Sequence, residues 1–166
     1  MSRSQSDTVN SALRIFLQEM GRAYDEERGY KPYRNGVKGA DFNGVKAFFN
    51  DSCCYCGVQF SGTAAVQDHL IAMNKKTLGL HAWGNIVPAC GTCNARKLDR
   101  DWKEFIQSQS GPKAKARINQ VKKYQMRYEY APDLNITLAA EELYEEVGVV
   151  AMALITAKVR RVRKTG

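Results

Sequence analysis

Cys53-Cys54-Tyr55-Cys56-Gly57 and Cys90-Gly91-Thr92-Cys93-Asn94-Ala95-Arg96-Lys97 stand on either side of Asp68-His69 and Gly84-Asn85. Two residues between cysteines let one tight turn offer both sulfurs to a single ion, and four thiolates close the tetrahedron that zinc takes in structural sites. The spacing predicts one structural zinc held by Cys53, Cys56, Cys90 and Cys93. Val66 to Leu70 and Ile86 to Ala89 are short, apolar and partly β-branched, so they read as two strands joined by a long loop from Ile71 to Gly84. The ion would then pin a hairpin that carries a carboxylate, an imidazole and an amide: Asp68, His69 and Asn85.

Outward from this hairpin the chain is rich in helical pattern. Val9, Leu13, Phe16, Leu17 and Met20 recur at helical spacing, with Ser6 or Asp7 as N-cap and Gly21 as the expected stop. Glu27 to Gly39 holds three glycines, a proline, and basic residues interleaved with tyrosines, which marks a loop; it is a plain connector or an arm whose Lys31, Arg34 and Lys38 touch DNA. Asp41 can cap a short helix whose Phe42, Val45, Phe48 and Phe49 share a face. After Cys93 the stripe Leu98, Trp102, Phe105, Ile106 predicts one helix with Asn94 and Lys97 on its first turns, broken at Gly111-Pro112. A basic helix follows from Lys113 to about Tyr130, and a last one from Thr137 nearly to the C-terminus, with Leu143, Val147, Val150 and Leu154 as a heptad-like stripe. The reading is α+β and mostly helical: one domain over 1–166, a core at 53–101, and helical flanks at 1–52 and 102–166 for DNA binding and assembly.

Size and charge limit the classes of function. A chain of 166 residues can bury a core without disulfides, so the zinc would be a local staple. Twenty-five Lys and Arg against 17 Asp and Glu leave a net charge of +8, which favours a polyanionic partner. Four of five cysteines fall in the pairs, Cys54 is left over as a small packed residue, and Met1 to Gln5 lacks the apolar region of a secretory signal, so a reducing cytoplasm is expected. The longest apolar stretch, Val147 to Ala157, is well short of the roughly 20 residues that span a bilayer, which argues against a membrane protein.

Phosphodiester hydrolysis needs a base for water, a cation against the charge growing on phosphate, and help for the departing oxygen. His69 has the ordinary pKa suited to a base. Asp68 and Asn94 offer hard oxygens suited to magnesium or manganese, whereas the thiolates select zinc elsewhere. The set Cys53-Cys54-Tyr55-Cys56-Gly57, Asp68-His69-Leu70-Ile71, Gly84-Asn85-Ile86-Val87-Pro88-Ala89-Cys90 and Cys93-Asn94-Ala95-Arg96-Lys97 resembles the HNH endonucleases with a four-cysteine zinc site. The resemblance implies a ββα-metal finger, His69 as general base, Asp68 and Asn94 as ligands of one catalytic divalent ion, and Asn85 as a brace of the hairpin. The chain departs from many members where Ala72 to Gly79 replaces a proline and glycine pair, so the loop takes its own shape.

Metal-dependent cleavage of duplex DNA, as in a restriction enzyme, is the activity this implies. Lys97, Lys122 and Lys123, with the Lys31 to Lys38 loop, are the expected phosphate contacts. The rival reading is a non-catalytic zinc-containing nucleic-acid-binding module, which gives no reason for Asp68, His69, Asn85 and Asn94 to occur together. One base per chain and two strands to cut further suggest a homodimer seamed at the C-terminal stripe.

Overall fold

A computed structural model describes residues 3–34, 40–62, 64–132 and most of 138–157. Helix α1 spans Arg3–Glu27 and α2 spans Ala40–Phe48; strands β1, Ala65–His69, and β2, Ile86–Cys90, follow; then come α3, Gly91–Lys97, α4, Trp102–Ser110, and α5, Ala114–Arg127. The architecture is helical around one small antiparallel sheet, the α+β arrangement the pattern implies. The two strands pair in the register Ala65 with Cys90 through His69 with Ile86. β2 is buried throughout while β1 is half-buried along its length, so β1 is the strand that presents its side chains outward.

Two apolar clusters hold the fold. The larger gathers Val45, Phe49, Tyr55, Ile86, Val87, Phe105, Ile106, Val121 and Tyr124 from α2, the first cysteine pair, β2, α4 and α5. The smaller joins Leu13 and Leu17 of α1 to Leu80, Ala82 and Tyr130, so it sits between α1 and the long loop that follows β1. Val9, Leu13 and Leu17 are the buried positions of the α1 stripe. Each such side chain, removed from water, contributes roughly 1.5–3 kcal/mol.

Three sequence expectations change. α1 does not stop at Gly21 but continues to Glu27. Gly21 serves close packing instead: a Cβ there would lie 2.4 Å from the carbonyl oxygen of His81. The expected single helix after Cys93 is two, because Leu98 adopts φ 53° and Asp101 starts a new helix by accepting from Lys103 N and Glu104 N. An α-helix admits no left-handed residue in its interior, and a side-chain cap satisfies the orphan donors of the next one. The basic helix begins at Ala114 after a short 3-10 turn at Gly111–Lys113.

The described residues between 138 and 157 are helical. Along the expected stripe Leu143 and Val147 are half-buried, whereas Val150 and Leu154 are 56% and 64% exposed. Lys38 lies outside the described residues. No helix among the described residues is long and apolar enough to cross a membrane.

Candidate active site and metal centre

The first cysteine pair lies on a turn made for it. Gly57 sits at φ 79°, its amide donates to Cys53 O at 2.9 Å, and Cys53 N donates to Val58 O at 2.9 Å. The left-handed φ is what glycine supplies without a Cβ penalty. Cys54 N donates to Pro88 O at 2.9 Å and ties the turn to β2. The second pair is placed by the end of β2 and the first turns of α3, where Cys90 is the N-cap and its sulfur accepts from Cys93 N. The sulfurs of Cys53, Cys56, Cys90 and Cys93 all lie within 4.8 Å of one another. A tetrahedron with Zn–S of about 2.3 Å has edges of about 3.8 Å, and Cys56 Sγ stands 3.8 Å from Cys90 Sγ. None of the cysteines forms a disulfide. Donor type, number and spacing fit zinc, and the four could hold one ion.

On the half-buried β1, Asp68 and His69 diverge, as successive residues of a strand do. Asp68 Oδ2 accepts from Tyr55 Oη at 2.6 Å, and Oδ1 accepts from His69 N at 2.8 Å. Burial raises the Asp68 carboxyl above its usual range, opposed by the Tyr55 bond and the nearby Lys97 charge. His69 Nε2 lies 3.1 Å from His81 Nδ1. Burial first, then the neighbouring His81, Lys97 and Arg14, pull His69 down from 6.5 to about 3, so its imidazole is neutral at physiological pH. Burial lowers His81 as well.

Asn85 is fully buried, and its amide spans the base of the loop. Oδ1 accepts from Ile71 N at 2.9 Å, while Nδ2 donates to Ile71 O at 3.0 Å and Leu80 O at 2.8 Å. Residues 71 and 80 of the loop are therefore both fastened to the residue that precedes β2.

Lys97 corrects an expectation. It is completely buried rather than facing a phosphate, and its ammonium donates to His69 O at 2.9 Å. Burial lowers its pKa, opposed by Asp68. A lone lysine after a cysteine pair reads as surface charge, and only the turn of α3 back over β1 shows otherwise. Asn94 is exposed on α3, three residues before Lys97 and so at a neighbouring position of the helix surface. Lys31, Arg34, Lys122 and Lys123 are exposed.

Sequence reading missed Asp25, a fully buried carboxylate on α1. It accepts from Tyr33 N at 2.9 Å and Trp83 N at 3.1 Å and pairs with Arg28 at 2.6 Å. The available signal was its place four residues beyond Gly21 on the stripe that buries Leu17.

Residues 53–100 match the family model described as HNH endonuclease. This segment is an HNH endonuclease domain. A relative with that name is the SPbeta prophage-derived protein YoqL of Bacillus subtilis (strain 168), 26% identical over 103 residues that cover 57% of this chain and 44% of YoqL. The chain thus spans under half the length of that curated relative. No solved structure matches it. The HNH assignment supports a nuclease at the level of the family, and the HNH segment contains the four cysteines together with Asp68, His69, Asn85 and Asn94.

Proposed function

We propose that the protein is a metal-dependent DNA endonuclease that hydrolyses phosphodiester bonds, acting in the manner of a restriction enzyme. The observation that carries this reading is the HNH match itself, whose hairpin sets the Asp68 carboxyl and the His69 imidazole in succession on the half-buried β1. A neutral imidazole has the lone pair that takes a proton from water, and the negative charge of a bound phosphodiester would raise its basicity from the value that burial imposes on the free site.

Asp68 and Asn94 are hard oxygen donors, and a magnesium or manganese ion asks only one or two protein ligands beside substrate and water. These two residues would hold it, and it would supply charge stabilisation at phosphate. His69 accepts a proton from the attacking water. The new P–O bond forms to that water as the P–O3′ bond breaks, and the departing O3′ takes a proton from solvent, leaving a 5′-phosphate and a 3′-hydroxyl. Asn85 keeps the loop behind His69 closed, and the four cysteines keep α3, with Asn94, against β1.

Net charge supports a nucleic-acid partner, with Lys31, Arg34, Lys122 and Lys123 as exposed cations for phosphate contact. A second copy seated on the exposed Val150 and Leu154 would give two sites of opposite polarity for the two strands of a duplex.

The test is digestion of plasmid DNA with magnesium, followed by sequencing of the ends. The wild type should cut, and His69→Ala should lose on the order of 10²–10⁴-fold in rate with DNA binding retained. Wild-type rates from His69→Ala would remove the mechanism. Binding without cleavage by the wild type would favour the zinc-containing binding module.

A further inference from the structure

His81 is the second of the chain's two histidines and lies outside the HNH motif residues. Its ring nitrogen Nδ1 stands 3.1 Å from Nε2 of His69. At that separation one proton lies between the two nitrogens, since two N–H groups cannot point at each other. Two arrangements satisfy this. If His81 donates, the lone pair of His69 Nε2 is consumed and the proton of the neutral His69 ring must sit on Nδ1, which leaves no basic nitrogen. If His69 Nε2–H donates, Nδ1 of His69 is bare and free to take a proton from water.

The His81 ring is not free to wander from this bond. Leu80 and Ala82 on either side are fully buried, and His81 N donates to Leu17 O at 3.4 Å. Tyr33 packs edge-on against the imidazole at 5.3 Å between ring centres. Gly21 lets α1 lie directly on the His81 backbone, where any side chain would collide. The helix outside the HNH segment thus fixes where Nδ1 of His81 stands.

We propose that His81 is a positioning residue that accepts from His69 Nε2–H and so locks His69 in the tautomer whose bare Nδ1 is the base. The inference rests on the nuclease reading for its rate consequence, while the hydrogen bond itself stands apart from it. A neutral imidazole does here what a carboxylate does in a Ser-His-Asp triad. It orients the base without bringing a second negative charge toward a phosphodiester.

The experiment uses the full chain with ¹⁵N-labelled histidine. Two rings give two sets of imidazole nitrogen signals, and His81→Asn leaves only those of His69 for assignment. The expected result is His69 protonated at Nε2 and bare at Nδ1, in the wild type and in His81→Asn, whose Oδ1 stands where Nδ1 stood. In His81→Phe the His69 proton should spread over both nitrogens, and kcat on plasmid DNA with magnesium should fall about 100-fold at unchanged KM. His81→Asn should restore most of that loss. A wild-type His69 that carries its proton on Nδ1 overturns the proposal, as does His81→Phe with unchanged tautomer and kcat. If the wild type cuts no DNA, the nuclease reading fails, and the nitrogen signals alone still decide the hydrogen bond. If His81→Phe does not fold, the wild-type and His81→Asn spectra decide it.

Discussion

The two ends of the HNH hairpin are secured by opposite kinds of chemistry. At one end four soft thiolates from two sequence-local pairs converge within 4.8 Å, a set that a metal can close. At the other a single carboxylate, Asp25, reaches in from α1 and holds the amides of Tyr33 and Trp83 together with Arg28. The mechanical result is the same, a long loop and its strands held against the core. The difference is where the strength would reside: in coordinate bonds to an ion that the four cysteines could hold, or in desolvated hydrogen bonds from three parts of the chain. A thiolate clamp releases when its metal leaves or its sulfurs protonate, whereas a buried carboxylate releases when its partners are lost.

Breaking the thiolate end should have the largest effect. Structural zinc contributes on the order of 10–16 kcal/mol in finger peptides. Cys90→Ser should therefore lose bound zinc and unfold the hairpin, read by metal analysis and circular dichroism. A Cys90→Ser protein that folds fully would show that no metal clamp operates there.

The carboxylate end should yield less. Asp25→Ala leaves two backbone amides and a largely buried guanidinium without their partner, a loss of about 3 kcal/mol, measurable as a lower denaturant midpoint. Zinc content should be unchanged. Zinc loss in Asp25→Ala would mean the two ends act as one unit.

The smallest effect is expected at His69, which sits between the clamps. Its folded pKa is lowered to about 3 from 6.5, so the unfolded chain binds the extra proton first as pH falls. His69 therefore weakens the fold as pH drops from about 6.5 toward the folded value, and the effect is absent above that window. At about pH 5.5 the difference should be about 1 kcal/mol, visible as a flatter stability profile in His69→Gln than in the wild type between pH 7 and 5.5. Parallel profiles would mean that His69 is solvated.

Legibility followed locality. The strand positions, the cysteine clusters and the α1 stripe depend on residues two to four apart, and the structure places them within a residue or so of expectation. The division of α3 from α4 was not readable, because the apolar stripe runs on through Leu98 while its left-handed backbone and the Asp101 cap interrupt the helix. In sequence Lys97 reads as a phosphate contact, and His81 is one residue of the long loop from Ile71 to Gly84. Both prove to be partners of His69, at its carbonyl and at its ring.

The four-cysteine set and the order of the hairpin were legible from the chain alone, since cysteine spacing and strand alternation act over short separations that the chain writes directly. Only the packing of the helices shows which groups stand behind His69 and its hairpin. Asp25, Gly21, His81 and Lys97 act across separations of many residues, where pairing depends on how α1 and α3 pack against the loop and β1. A buried polar group must find a partner, but nothing in its neighbours names which one.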